Sequence, residues 1–108
     1  MDMFSALAEP TRRHIVELIA QKGQMSATSI SDNFSTTPQA ISQHLKVLRD
    51  ADVLQVKKQA QSRIYTINPV KITELEEWIK KLTKLWDDRF NRLDSLLEKQ
   101  KLMEGGDK

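Results

Sequence analysis

Thr37-Pro38-Gln39-Ala40-Ile41-Ser42-Gln43-His44-Leu45-Lys46-Val47-Leu48-Arg49-Asp50-Ala51 is the stretch on which the reading of this chain turns. Thr37 suits an N-cap and Pro38 the first helical position, where a missing N–H costs nothing. At about 100° per residue, Ile41, Leu45 and Leu48 fall on one side of the helix that follows. Gln39, Ser42, Gln43 and Lys46 fall together on the opposite side. That second face is polar, mostly uncharged and built of side chains that hydrogen-bond base edges. A merely solvated face would carry more Glu and Lys at i, i+4 spacing. His44 sits beside the apolar face and reads as a packed or backbone-contacting histidine. Asp52 takes the position after the helix, in the left-handed region that Asp tolerates.

Upstream, Met3 to Ala8 is a short apolar stretch with room for one or two helical turns. Pro10 starts the next helix, which carries Ile15, Leu18 and Ile19 at 3–4 spacing and stops at Gly23. Ser26 caps a short helix expected to run to about Phe34. Met25 and Ile30 stand at the staple positions around that cap. Ser35, Thr36 and Thr37 form a polar turn.

Downstream, Val53 to Lys58 alternates, with Leu54 and Val56 on one face. Arg63 to Ile67 does the same with Tyr65 and Ile67. Gln59-Ala60-Gln61-Ser62 links the two runs into a small hairpin whose tip is flanked by Lys57, Lys58 and Arg63. Those cations either solubilise an edge pair or clamp phosphates beside the preceding helix; the reader-like face of that helix favours the clamp. Between Thr36 and Arg63, five basic residues (Lys46, Arg49, Lys57, Lys58, Arg63) stand against two acids (Asp50, Asp52), a local net charge of +3.

Asn68-Pro69 closes the hairpin, and Thr73 with Glu76 fits a capping box. From there to about Met103 no Pro or Gly interrupts a helix of about 45 Å. Leu75, Ile79, Leu82, Trp86, Phe90 (or Arg89), Leu93 and Leu97 recur at close to 3.5 residues, and Trp78, Leu85 and Leu96 widen the stripe. A core built from the first 68 residues covers part of such a seam. The rest folds back on its own domain or meets a second chain, and a homodimer is the economical answer. Gly105-Gly106-Asp107-Lys108 reads as a frayed tail.

Composition bounds the alternatives. A chain of 108 residues is expected to form a single domain, residues 1–108, with 70–103 as its long helix. With no cysteine, disulfides, thiolate metal sites and cysteine nucleophiles are excluded. His14 and His44 stand thirty positions apart and assemble neither a metal site nor a catalytic cluster, so no metal, no cofactor and no enzyme activity are expected. No run approaches the roughly 18–20 apolar residues of a membrane span. Met1-Asp2-Met3-Phe4 does not open a signal peptide, and a cytoplasmic location is expected.

Helix, helix, turn, helix, hairpin, long helix is the order of a winged helix-turn-helix: mainly α, with one small antiparallel hairpin. Three segments carry a resemblance. Leu7-Ala8-Glu9-Pro10-Thr11-Arg12-Arg13-His14-Ile15, Ile41-Ser42-Gln43-His44-Leu45-Lys46-Val47-Leu48-Arg49 and Tyr65-Thr66-Ile67-Asn68-Pro69 resemble the ArsR/SmtB family of winged-helix repressors. The similarity runs from about Phe4 to Leu97. It implies a homodimeric transcriptional repressor, in a family of which many members are released from DNA by metal ions. Metal sensors of the family often carry Cys-x-Cys on the helix where this chain has Ser26, Ser29 and Ser31. Others bind zinc through Asp and His on the last helix; here Asp87, Asp88, Asp94 and Glu98 are present, but no histidine follows Leu45. The resemblance is therefore to the metal-independent branch. Glu9 stands where the family usually has Asp, Asp52 where it has Gly, and Ala60-Gln61 where its wing has Gly-Arg.

The expected function is sequence-specific repression of transcription by operator occlusion on double-stranded DNA. Gln39, Ser42, Gln43 and Lys46 read bases, while Thr37, Lys57, Lys58 and Arg63 hold phosphates. Phe4, Leu7, Trp86, Phe90, Leu93 and Leu97 form the homodimer. The inducer is not legible. The alternative is a protein-interaction module that uses the long helix and scarcely binds DNA; the reduced wing speaks for it.

Overall fold

The computed structural model describes residues 1–105, with side chains described as far as Leu93 and again at Leu96 and Leu97. Gly106–Lys108 of the expected tail, and the side chains of Asp94 and Glu98, lie outside the described residues. The chain divides into two compact units, Met1–Thr73 and a second beginning at Glu74.

The first unit runs α1 (Met3–Ala6), α2 (Pro10–Lys22), β1 (Met25–Ser26), α3 (Ala27–Ser31), α4 (Pro38–Asp50), β2 (Leu54–Gln59) and β3 (Ser62–Ile67). Helix α5 (Pro69–Gly105) begins in it and makes up the second unit. Ile15 and Ile19 of α2, Ile30 of α3, Ile41, Leu45 and Leu48 of α4, and Val53, Leu54 and Tyr65 form the core of the first unit. The sequence-read apolar face of α4 is thus its buried face.

Local chemistry sets the helix ends. The Thr37 hydroxyl oxygen accepts the Ala40 N–H at 3.1 Å, with Pro38 opening α4. At the other end, Asp52 N–H donates to the Arg49 carbonyl (2.9 Å) and Val53 N–H to the Leu48 carbonyl (3.0 Å). This paired closure requires a left-handed residue, and Asp52 supplies it at φ 60°. Gly23 ends α2 at φ 86°, where glycine carries no Cβ penalty.

Four expectations are corrected. Helix α3 ends at Ser31 rather than near Phe34. Asn33 and Phe34 N–H groups bond three residues back, to Ile30 and Ser31, and the Asn33 amide donates to the Ser29 carbonyl at 2.7 Å; together they tighten the chain out of the α-helix. The sheet has three strands, not two, in the order β1-β3-β2, because Met25 and Ser26 pair antiparallel with Tyr65 and Ile64. Strands β2 and β3 each reach one residue further toward the turn, leaving Ala60-Gln61 as a two-residue connection with Ala60 at φ 55°. Such turns favour Gly or Asn, so Ala here carries local strain.

The fourth correction concerns the start of α5. Pro69 opens it rather than Thr73, and Asn68 caps it: its side-chain oxygen accepts the Val70 N–H at 3.1 Å. The Asn68 amide also donates to the Asp52 carbonyl at 2.9 Å, and its backbone N–H to Val53. Asn68 therefore closes the hairpin and starts the helix at once. Thr73 sits inside α5, its hydroxyl on the Pro69 carbonyl.

In the second unit, α5 presents Trp78, Ile79, Leu82, Leu85, Trp86, Phe90, Leu93, Leu96 and Leu97 as exposed apolar side chains. Charged residues such as Glu76 and Lys80, paired at 3.0 Å, lie between them. Among the described residues no helix is long and apolar enough to cross a membrane.

Candidate nucleic-acid interface

Burying Ile41, Leu45 and Leu48 fixes the rotation of α4, and that rotation decides what faces outward. Gln39, Ser42, Gln43 and Lys46 are all exposed. They stand at i, i+3, i+4 and i+7, one continuous strip along the helix. Among the described residues, none of the four is hydrogen-bonded to another side chain. Their donors and acceptors are free for an incoming partner. The Thr37 oxygen already accepts a backbone N–H, leaving its hydroxyl hydrogen to donate.

The hairpin cations are distributed by the pleat. Successive strand residues point to opposite faces. Lys58 lies directly across from Arg63, on the face that Leu54, Val56, Tyr65 and Ile67 share. Both are exposed, one pair back from Gln59↔Ser62. Like charges directly opposed across a strand pair are unfavourable until an anion lies between them. Lys57, across from Ile64, points to the other face. There it lines a shallow polar cleft with Gln24, Arg49, Gln55 and Thr66. The structure thus brings Lys58 and Arg63 together and leaves Lys57 apart from them.

Of the two roles expected for His44, packed or backbone-contacting, the structure gives the packed one. His44 is half-buried, and its partners are side chains, not backbone. Its Nδ1 lies 3.4 Å from an Arg12 guanidinium nitrogen and 3.8 Å from Glu9 Oε2. Arg12 also donates through Nε to the Ala6 carbonyl (2.6 Å), and Glu9 caps α2 by accepting the Arg12 N–H (2.9 Å). That backbone N–H holds the Glu9 carboxyl below the usual carboxylate range. Sequence reasoning quoted these residues without joining them, because His44 stands 32 positions from Arg12.

Of the residues expected at the dimer interface, Phe4 is exposed in α1 and Leu7 half-buried just after it. Trp86, Phe90, Leu93 and Leu97 are exposed on α5. Among the described residues no group of three or more His, Cys, Asp or Glu is placed to hold a metal ion.

Comparison with known proteins bears on this geometry. Residues 7–57 match the profile of a family described as a helix-turn-helix domain, a span that contains all of α4 and ends at Lys57. The chain is 31% identical over 78 residues to the transcriptional repressor SdpR of Bacillus subtilis, covering 72% of this chain and 86% of that protein. A crystal structure of a possible transcriptional regulator for arsenical resistance is 30% identical, with a TM-score of 0.69 over 76% of this chain and 84% of its own. A crystal structure of an ArsR family transcriptional regulator is 26% identical, with a TM-score of 0.70 over 78% of this chain and 86% of its own.

The chain belongs to the ArsR family of winged-helix transcriptional regulators. For an ArsR-family regulator, the two-sided α4 and the hairpin after it are the second helix of the helix-turn-helix and its wing. The wing is short: its turn is Ala60-Gln61, and its paired cations are Lys58 and Arg63.

Proposed function

We propose that this ArsR-family chain is a homodimeric repressor that binds double-stranded DNA sequence-specifically and blocks transcription by occupying its operator. The observation that carries the reading is the unpaired, polar and mostly uncharged strip on α4. Gln39, Ser42, Gln43 and Lys46 contact base edges in the major groove. A Gln amide matches adenine bidentately, and Lys suits guanine or a phosphate. Thr37 donates its hydroxyl to a phosphate at the helix N-terminus, where the backbone dipole also favours an anion. Lys58 and Arg63 share a phosphate, which relieves their mutual repulsion. Lys57 reaches phosphate from the opposite face of the wing, a separate and weaker contact. The apolar stripe of α5, with Phe4 and Leu7, joins two copies so that two α4 helices meet two half-sites. A cytoplasmic location goes with this role.

The decisive experiment compares two variants on a preferred and a random DNA over a salt series. Gln43→Ala should cost about 1–3 kcal/mol on the preferred DNA and relax discrimination at one base pair per half-site. Lys58→Ala should weaken both DNAs alike and flatten the salt dependence by roughly one counterion per subunit. If Gln43→Ala weakens both equally, α4 is not the reader.

Release from the proposed operator does not use a metal ion. The chain has no thiolate to offer, and carboxylates on an exposed helix bind zinc or cadmium weakly and without selectivity. Low-micromolar zinc, cadmium or arsenite should leave DNA affinity unchanged. Stoichiometric zinc binding by calorimetry, coupled to loss of DNA, would overturn this.

A further inference from the structure

We propose that Arg12 and His44 are positioning residues for the α4 reading face, and that their contact requires a neutral His44 imidazole. The proposal rests on the reading of α4 as the DNA-contacting helix. One guanidinium, from α2, meets three places. Its Nε donates to the Ala6 carbonyl at 2.6 Å and an Nη to the Ser5 carbonyl at 3.3 Å, both on α1. Its other Nη faces His44 Nδ1, midway along α4, at 3.4 Å. Arg12 therefore ties the end of α1 to the helix that carries Gln43, the residue next to His44.

A guanidinium has donors and no acceptor. For that contact to be a hydrogen bond the Nδ1 has to present its lone pair, which requires a neutral ring with its proton on Nε2. Protonation reverses the preference. An Nδ1–H meets Arg12 as a second donor and a like charge, while Glu9 Oε2, 3.8 Å away, becomes the available acceptor. That same Oε2 accepts the Arg12 N–H at the start of α2. One proton thus exchanges Arg12 for Glu9 and draws on the oxygen that caps α2.

The other charged groups on the packed elements do not enter. Helix α1 has none, and Asp2 at its cap accepts the Ser5 N–H. On α2, Arg13 is held by the Leu7 and Ala8 carbonyls, His14 rests against Phe34, and Glu17 and Lys22 are exposed. Helix α3 has none. On β2, Lys57 and Lys58 are exposed, and on α4 itself Arg49 pairs with Asp50 while Lys46 faces outward. Among the described residues, Glu9 and Arg12 are the charged groups within ion-pair distance of His44. Base-edge hydrogen bonds fail within about 0.5 Å of displacement, so a changed seat for α4 is felt at Gln43.

The test uses the full chain. Affinity for the preferred DNA is measured between about pH 7.5 and pH 5.5, the span over which histidine changes charge. Nitrogen-15 resonances of Arg12 Nε and His44 are followed in the free protein over the same range. Acidification is expected to weaken binding about fivefold, a fraction of one charge-assisted hydrogen bond. The Arg12 Nε signal should move as His44 titrates. In His44→Gln, whose carboxamide oxygen remains a neutral acceptor, both responses should vanish; in His14→Gln both should persist. Three results would overturn the proposal: affinity that rises on acidification, as added charge alone would cause; an acid loss retained in His44→Gln; or an Arg12 signal indifferent to His44. A protein that bound no DNA at any pH would end the reading of α4, yet the resonances would still decide the Arg12–His44 contact.

Discussion

Phe90→Glu with Leu93→Glu is expected to turn the proposed dimer into monomers and to remove most operator binding. Both side chains are exposed on α5 in the single chain, in a stripe that runs from Trp78 to Leu97. A stripe of that extent on water is a recognised interaction signature, and in the proposed homodimer a second copy covers it symmetrically. Burying one large apolar side chain contributes about 1.5–3 kcal/mol. The double variant removes four such side chains from a two-fold interface and puts four carboxylates in their place. The loss is of order 6–12 kcal/mol before any charge penalty, enough to carry a nanomolar dimer to about 20 μM at the low end of that range and beyond millimolar at the high end. Sedimentation equilibrium at micromolar concentration checks it. A well-folded monomer for the unmutated chain, or an intact dimer for the double variant, would contradict the assignment of α5.

Leu48→Ala should produce the largest loss of stability of any single change on α4. Leu48 is fully buried, and its carbonyl takes the Val53 N–H that closes the helix. Truncating a buried leucine costs about 2–5 kcal/mol, from lost transfer energy and the cavity left behind. Small domains hold only about 5–15 kcal/mol in total, so the urea midpoint should fall steeply. Gln43→Ala, five positions away on the exposed face, should shift the same midpoint by less than about 0.5 kcal/mol. One face of α4 then carries stability and the other DNA affinity. A cost below about 1 kcal/mol for Leu48→Ala would mean that the apolar face is not the packed one.

The same two-sidedness explains what was legible in the sequence. Helix α4 announces both ends and both faces through local chemistry: Thr37 and Pro38 open it, Asp52 closes it, and the apolar residues repeat at helical period. Strand β1 offered no such signal. Two residues cannot display alternation, and Met25 finds its partner Tyr65 forty positions later. The start of α5 was masked by a competing pattern. Thr73 and Glu76 read as a capping box, but Asn68 and Pro69 satisfied the helix start first, because Asn68 was already anchored to Asp52 and Val53. The split between Lys57 and Lys58 follows from strand period alone, yet a reading of charge without pleat merges them. The Glu9–Arg12–His44 cluster was out of reach, since no local rule links a helix cap, a guanidinium and a ring on another helix.

In the proposed repressor, two copies of α4 read two half-sites. Genomic DNA retained by the purified protein, sequenced and then footprinted with hydroxyl radicals, tests it most directly. Enrichment of an inverted repeat is expected, with two protected patches centred about one helical turn apart and protection lost when Gln43 is alanine. Retained fragments sharing no sequence, or a single protected patch, would contradict it.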